Sequence, residues 1–277
     1  MMGQQKGEKT MKNQKVVRLV ESALLLALAT VLSLIKVLDL PYGGSVTACS
    51  MLPILLIAYR HGTVYGLFSG FAYGLIQMLL GFKNVLYFTT PLSIAAVIVL
   101  DYVLAFVVLG LGGLFRKKYS QEKALVLGAL LTCVLRYLCH VVSGCTVWAS
   151  LSIPDNAALV YPLAYNATYM LPETLVTMLG ASYLSRAVDL RGERPTRAKA
   201  DGNARFSVLS LIGQLVAAAA LVTDIVLVFS QLQNGETGDF MITGLANVNW
   251  IAFAAVTVVG AGLAVVLMLL GRRKKAA

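Results

Sequence analysis

Residues 90–114 read TPLSIAAVIVLDYVLAFVVLGLGGL, an apolar run that contains one charged residue, Asp101. A helix needs about 20 apolar residues to cross the roughly 30 Å hydrocarbon core of a bilayer, because it rises about 1.5 Å per residue. This run is long enough. The basic cluster Arg116-Lys117-Lys118 follows it directly, as is typical of the end of a span at a membrane surface. The stretch therefore predicts a membrane-spanning α-helix.

Similar runs recur along the 277 residues, of which 58% are hydrophobic and 13% charged. An average soluble domain is about 45–50% apolar and about 25% charged, so an ordinary water-soluble enzyme is excluded. We predict an all-α integral membrane protein with about eight spans. The second span is short and must be tilted or shallow. The predicted spans are Val17–Ile35, Val46–Ala58, Thr63–Leu80, Thr90–Leu114, Ala124–Val147, Ala158–Leu184, Phe206–Ser230 and Leu245–Leu270.

The net charge of +10 reflects topology once the basic residues are sorted by loop. If both termini are cytoplasmic, 20 of the 23 basic residues fall on that side, as the positive-inside rule expects of a plasma-membrane protein. The charge therefore indicates orientation and contact with anionic lipid rather than a nucleic-acid partner. The cytoplasmic set is Lys6, Lys9, Lys12, Lys15, Arg18, Arg60, Arg116, Lys117, Lys118, Lys123, Arg186, Arg191, Arg194, Arg197, Lys199, Arg205, Arg272, Arg273, Lys274 and Lys275.

The predicted spans divide the chain into four parts. Residues 1–17 form a cytoplasmic N-terminal segment, 18–186 a six-helix membrane domain, 187–205 a cytoplasmic linker and 206–277 a two-helix C-terminal extension. Small residues in the extension suit close helix packing in lipid. Inside it, Asp224 is expected either to bond to the neighbouring helix or to mark a partner or ion contact.

The sequence indicates no metal site or cofactor. Cys49, Cys133, Cys139 and Cys145 all fall in predicted spans, without a CxxC pair or a Cys/His spacing typical of metal ligands. We interpret them as small apolar packing residues.

Four ionisable residues of the six-helix domain lie at bilayer depth: Asp101, Arg136, His140 and Glu173. Each costs on the order of 3 kcal/mol to insert, so each needs a pairing or functional explanation. In a purely structural interpretation, Arg136 pairs with Asp101 or Glu173 to hold helices together, and aromatic residues near the outer ends of the helices belong to the interfacial belt.

Polar and aromatic side chains follow single helix faces in the outer half of four spans, which favours the functional interpretation. Convergent polar groups in an aromatic lining are typical of a small-molecule site, and carboxylates beside aromatic rings suit a planar, nitrogen-rich cation. The faces comprise Tyr73 and Gln77, then Asp101 and Tyr102, then Arg136, His140, Gly144 and Trp148, and finally Tyr165, Asn166, Tyr169 and Glu173.

Several segments between Arg18 and Arg186 resemble the thiamine-specific substrate-binding subunit of energy-coupling-factor (ECF) vitamin transporters. The most specific is Arg136-Tyr137-Leu138-Cys139-His140, followed eight residues later by Trp148. The other matching segments are Met51-Leu52-Pro53 with Ala58-Tyr59-Arg60, Ser69-Gly70-Phe71, Asp101-Tyr102 with Ala105-Phe106, and Tyr161 with Tyr165-Asn166.

The resemblance implies a subunit, the S component, that captures thiamine from outside with high affinity. It implies docking on a transmembrane coupling subunit that bears two cytoplasmic ATPases. Ala23 and Ala27 resemble the family's small-residue docking pattern.

The resemblance also implies individual roles at the ligand. Asp101 matches a carboxylate that bonds the aminopyrimidine, Trp148 matches an aromatic residue that stacks on the ligand, and Tyr42 stands where relatives often have a tryptophan. The remaining matches to polar contacts, the pocket lining or a nearby basic residue are His140, Tyr161, Asn166, Tyr102 and Arg136.

Other functions stay open at this point. The ligand is thiamine, a precursor such as its aminopyrimidine half, or another vitamin. The chain has no GxxxxGK[ST] phosphate loop, so ATP hydrolysis is expected on partner subunits. A solitary proton-coupled carrier is one rival. An intramembrane enzyme is another, although no HExxH or GxSxG motif is present.

Overall fold

The computed structural model describes residues 2–40, 43–149, 159–198, 208–232 and 241–273. This part of the chain is mainly helical, with two short antiparallel hairpins. The first pairs β1 (Lys36–Asp39) with β2 (Ser45–Thr47), and the second pairs β3 (Val188–Asp189) with β4 (Thr196–Arg197). The helices are α1 (Met2–Leu34), α2 (Leu52–His61), α3 (Thr63–Leu80), α4 (Pro91–Gly113), α5 (Gln121–Trp148), α6 (Val160–Ala187), α7 (Val208–Leu232) and α8 (Trp250–Arg273).

Six of these helices are long and apolar enough to cross a bilayer: the Gln14–Leu34 part of α1, and α3, α4, α5, α7 and α8. α6 has 28 residues, which is sufficient length, but its polar residues make it less apolar than the six. The predicted helical membrane protein is thus confirmed.

The predicted span Val46–Ala58 is wrong at its start. Ser45–Thr47 is a strand, Cys49 has a left-handed backbone with φ of 66°, and the helix begins only at Leu52, with Pro53 in its first turn. Proline suits a first turn because it has no N–H to donate. With ten residues, α2 is too short to cross hydrocarbon.

α2 lies in the interior of the bundle, which explains its short length. Ile54, Leu55, Ile57, Ala58 and Tyr59 are all at most 1% exposed. Polar backbone at the ends of a short helix is tolerated at membrane depth only where protein rather than lipid surrounds it. Neighbouring helices supply that surrounding.

The bundle is held tightly by glycine at helix crossings. Gly110 on α4 packs against Gly66 and Leu67 on α3 so closely that an added Cβ would overlap their backbone atoms. Such close approach increases dispersion contact where lipid provides no hydrophobic driving force between helices.

The C-terminal extension is a hairpin of α7 and α8, and α7 also packs against α6. Gly260 lies against Ala220, as the small-residue pattern predicts. Asp224 is 5% exposed, and its Oδ2 accepts a hydrogen bond of 2.7 Å from Thr257 Oγ1. The predicted bond from Asp224 to the neighbouring helix is confirmed. The four cysteines are free thiols, and Cys133 is fully buried in the main core.

Candidate functional site

A cavity of about 580 Å³ opens between α1, the β1–β2 hairpin and helices α3 to α6. Every predicted ligand-binding residue that the structure describes lines it, whereas Tyr42 lies outside the described residues. The predicted residues brought together here are Tyr73, Gln77, Asp101, Tyr102, Arg136, His140, Trp148, Tyr161, Tyr165, Asn166 and Glu173.

Asp101 is the centre of the polar network on α4 and α5. Its Oδ1 lies 2.9 Å from His140 Nδ1, and its Oδ2 accepts bonds from Ser143 Oγ at 2.7 Å and Trp148 Nε1 at 3.0 Å. A carboxylate has about four acceptor positions. Among the residues that the structure describes, these three bonds leave one acceptor position for a donor inside the cavity.

Two π-helical segments aim this network. Asp101 lies in the segment Ile98–Leu104 of α4, and Trp148 ends the segment Gly144–Trp148 of α5. In a regular helix of 3.6 residues per turn, side chains four residues apart do not point in the same direction, because four residues make more than one full turn. A π turn is wider, with i→i+5 bonds, so it reduces this rotation around the helix axis. Trp148 therefore stays on the same side of α5 as His140, within reach of Asp101.

His140 forms hydrogen bonds through both of its ring nitrogens. Its Nε2 accepts from Arg136 Nε at 3.3 Å, so its Nδ1 is assigned as the donor to Asp101 Oδ1 at 2.9 Å. The Arg136 guanidinium also lies over the Phe106 ring, 4.3 Å from its centroid. Arg136 thus lines the cavity and bonds His140, and its hydrogen bonds in the described structure do not include Asp101 or Glu173.

Aromatic rings form two walls of the cavity. Trp148 lies edge-to-face with Phe88, with centroids 4.8 Å apart and an interplanar angle of 79°. Tyr161 and Tyr165 on α6 are stacked, with centroids 5.7 Å apart and rings within 7° of parallel. Ring faces of this kind attract a planar cation.

Glu173 ties α6 to the β1–β2 hairpin. Its side chain is buried, and its two oxygens accept bonds of 2.6 Å from Thr47 N and Thr47 Oγ1. Further up the helix, Tyr169 Oη donates to Asn166 Oδ1 at 2.5 Å, and Asn166 Nδ2 donates to Pro162 O at 2.8 Å. These groups line the cavity and also fix its wall.

Three other predicted residues bond to neighbouring backbone or side chains. Tyr73 is fully buried and donates to Ala29 O at 3.3 Å, while Gln77 Nε2 donates to Ser33 Oγ at 2.8 Å. Both bonds anchor α1, so these two residues position the wall of the cavity. Tyr102 Oη donates to Gly81 O at 3.0 Å.

Several lining residues were missed because they lie outside the predicted helix faces. Asn84, in the 3₁₀ segment Phe82–Tyr87, lies 3.5 Å from Tyr102 Oη, and Lys36 pairs with Asp39 at 3.0 Å on the β1–β2 hairpin. Helical spacing carries no signal for loop residues. The density of polar residues in 36–47 and 83–84 was the only available clue.

The described lining of the cavity includes three carboxylates, one guanidinium, two lysine ammonium groups and eight aromatic residues of the Phe, Tyr and Trp types. This chemistry suits a small planar cation that also offers an amine donor. Ala23 and Ala27 lie elsewhere, on the exposed face of α1.

Comparison with known proteins identifies relatives over the part that builds the cavity. Residues 19–189 match the family model described as thiamine transporter protein (Thia_YuaJ). The thiamine transporter ThiT of Bacillus subtilis is 33% identical over 177 residues, which is 60% of this chain and 88% of that protein. The ThiT of Lacticaseibacillus paracasei is 26% identical over 187 residues, covering 61% and 86% of the two chains.

A solved structure of ThiT from Listeria monocytogenes has the same fold over this region. The TM-score is 0.51 at 26% identity, and the match covers 62% of this chain and 94% of that one. The family match ends before α7, so the hairpin of α7 and α8 lies outside the matched region.

Proposed function

The chain belongs to the thiamine transporter protein family, and from that premise we propose that its cavity binds thiamine through Asp101 and the aromatic walls. It is a multi-pass protein of the plasma membrane and a transporter rather than an enzyme. In our proposal it acts as the S component of an ECF transporter.

The observation that carries the proposal is the single acceptor position left on Asp101 beside the ring of Trp148. Thiamine offers an aminopyrimidine amine and a cationic thiazolium ring. The amine is suited to the remaining acceptor position, and the cation is suited to the aromatic faces and to the carboxylate charge.

Thiamine titration followed by tryptophan fluorescence tests the site directly. We expect binding to quench Trp148, because a stacked ligand changes the surroundings of the indole. Trp250 is 51% exposed on α8, away from the cavity, and is the internal control. Trp148→Phe should abolish most of the quench, whereas Trp250→Phe should preserve it. A full quench in Trp148→Phe would contradict the stacking role.

Ligand identity is tested by competition. If the aminopyrimidine alone displaces thiamine at similar concentration, the ligand class includes the precursor. If it competes at least tenfold more weakly, both halves of thiamine contribute to binding. Identification of the small molecule that copurifies with the solubilised protein tests whether the ligand is a vitamin other than thiamine.

Ala23 and Ala27 support docking of a coupling subunit, because both are exposed on α1 and small residues allow another helix to approach closely. We propose that a transmembrane coupling subunit docks there and that two ATPase subunits supply the energy.

Ala27→Trp is expected to reduce ATP-driven thiamine uptake at least fivefold in vesicles containing the whole transporter, with thiamine affinity unchanged. Ala261→Trp, at an exposed position on α8, is the matched control and should retain uptake. Equal uptake by the two variants would place the docking surface elsewhere. Uptake by the chain alone, without ATPase subunits, would instead support the solitary carrier.

A further inference from the structure

A second pocket, of about 500 Å³, lies at the other end of α4 and α5 from the cavity, in the region predicted to be cytoplasmic. It opens between the turn that follows α4 and the segment that follows α6. Four of its six lining residues are cationic. The lining comprises Arg116, Lys117, Lys118, Tyr119, Ser120 and Arg191.

The two arginines are held by a buried tyrosine. Tyr59 is fully buried, the Arg116 guanidinium lies 5.8 Å from the centroid of its ring, and Arg191 Nε donates to its hydroxyl at 3.4 Å. Arg116 also donates to Arg60 O at 2.7 Å, and Arg191 to Tyr119 O at 3.0 Å. The two cations are therefore oriented before any ligand arrives.

Their partners leave the positive charge uncompensated. The acceptors are carbonyls and a phenol, and the described residues that line the pocket include no Asp or Glu. Two carboxylates on the adjoining segments are already bonded: Glu122 Oε1 accepts from Ser182 and Arg186, and Asp189 Oδ1 accepts from the Arg191 backbone N–H. Each guanidinium has five N–H donors, and these bonds use only one or two of them.

The pocket walls are fixed by Gln121 at the start of α5. Its Nε2 donates to Ser185 O at 2.9 Å and Val188 O at 2.6 Å, and its Oε1 accepts from Leu190 N at 2.8 Å. The beginning of α5 also contributes the positive end of its helix dipole. An open surface pocket with four cations, two of them held in place by protein contacts, is suited to a group bearing several anionic oxygens.

We propose that this pocket binds a phosphate group, carried either by an anionic lipid headgroup or by a free phosphate anion. One guanidinium group can bind two oxygens of a phosphate through parallel N–H···O bonds, and Lys117 and Lys118 add positive charge at the rim of the pocket. Basic pockets at the cytoplasmic ends of spanning helices are typical sites for anionic headgroups. The proposal does not depend on the identity of the transported ligand.

The test is thermal unfolding of the full-length chain in a neutral detergent with three added probes. These are phosphatidylglycerol, zwitterionic phosphatidylcholine, and inorganic phosphate at constant ionic strength. We expect phosphatidylglycerol or inorganic phosphate to raise the apparent Tm, and phosphatidylcholine to have little effect. If phosphatidylglycerol alone acts, the source is a lipid headgroup. If inorganic phosphate acts at the same concentration, the source is a free anion.

Lys117→Gln/Lys118→Gln removes two rim cations and leaves the bonds of both arginines intact. In this double variant, we expect the concentration of the active probe that gives half of the Tm rise to increase at least about tenfold. Each cation near an anionic surface contributes on the order of a fivefold factor in affinity. Arg194→Gln/Arg197→Gln makes the same charge change on exposed residues outside the pocket and should shift that concentration less than twofold.

Equal shifts in the two double variants would overturn the proposal, because bulk charge would then explain the effect. Absence of any Tm rise with phosphatidylglycerol and inorganic phosphate would also overturn it. Thiamine affinity should be unchanged in both variants, so failure here is distinguishable from failure of the proposed transport function.

Discussion

Replacing Asp101 with asparagine is expected to weaken thiamine binding by at least tenfold. The amide keeps one acceptor oxygen but places N–H donors where Trp148 or His140 already donates. It also removes the negative charge that attracts the cationic ligand. A hydrogen bond to a charged group contributes about 1.5–3 kcal/mol, and each 1.4 kcal/mol corresponds to tenfold in affinity.

Asp39→Asn is the matched control, because it makes the same chemical change at another residue of the cavity lining. Asp39 forms an exposed ion pair with Lys36, and such pairs contribute about 0–1 kcal/mol. We expect its thiamine affinity to change less than threefold, as measured by fluorescence titration or calorimetry. Similar affinities for the two variants would remove Asp101 from the binding site.

The location of the cavity could be predicted because two independent constraints agree there. Ionisable residues are expensive inside a membrane, so Asp101, His140 and Glu173 each required a reason. Their spacing on helices then predicted which faces meet. The helix faces that line the cavity followed from residues 90–114 and three neighbouring spans, since helical periodicity is set by local geometry.

Details that depend on contacts distant in sequence could not be predicted. The π segments Ile98–Leu104 and Gly144–Trp148 are an example, because helix-period patterns do not distinguish a π turn from regular α-helix. Likewise, the sequence predicts helix from Val46, inside the strand Ser45–Thr47, because Val46 and Ala48 continue an apolar run. Its pairing with β1 and its bonds to Glu173 override that local preference.

Arg60 is the clearest case, because its position in a predicted loop suggested a cation at the membrane surface. In the structure its side chain is only 4% exposed and forms a hub between three parts of the chain. It pairs with Glu21 on α1 through both Nε and Nη2, and donates to the carbonyls of Leu190 and Glu193 after α6 at 2.8 and 3.1 Å. Sequence spacing contains no information about contacts more than 100 residues apart.

Arg60→Ala is expected to destabilise the fold more than any other single substitution of a cation. It leaves the half-buried Glu21 without its main cation and removes the donor to three carbonyls, those of Leu190, Gly192 and Glu193. In the wild-type protein, burial lowers the pKa of the adjacent His61 below its ordinary value; the charge of Arg60 acts in the same direction, whereas Glu21 acts in the opposite one. Removing one partner of a buried pair costs about 3–5 kcal/mol.

At about 2–4 °C per kcal/mol for a chain of this size, the apparent Tm of Arg60→Ala should fall by roughly 10 °C at a fixed scan rate. Arg60→Lys keeps a charge for Glu21 but loses the planar fork, so its Tm should lie between those of wild type and Arg60→Ala. Arg194→Ala, an exposed cation on the same segment as Glu193, should change Tm by less than about 2 °C. If the apparent Tm of Arg60→Ala equalled that of Arg194→Ala, the contacts of Arg60 would not stabilise the bundle. If the apparent Tm of Arg60→Lys equalled that of Arg60→Ala, the stabilisation would come from the hydrogen bonds to the carbonyls and not from the charge opposite Glu21.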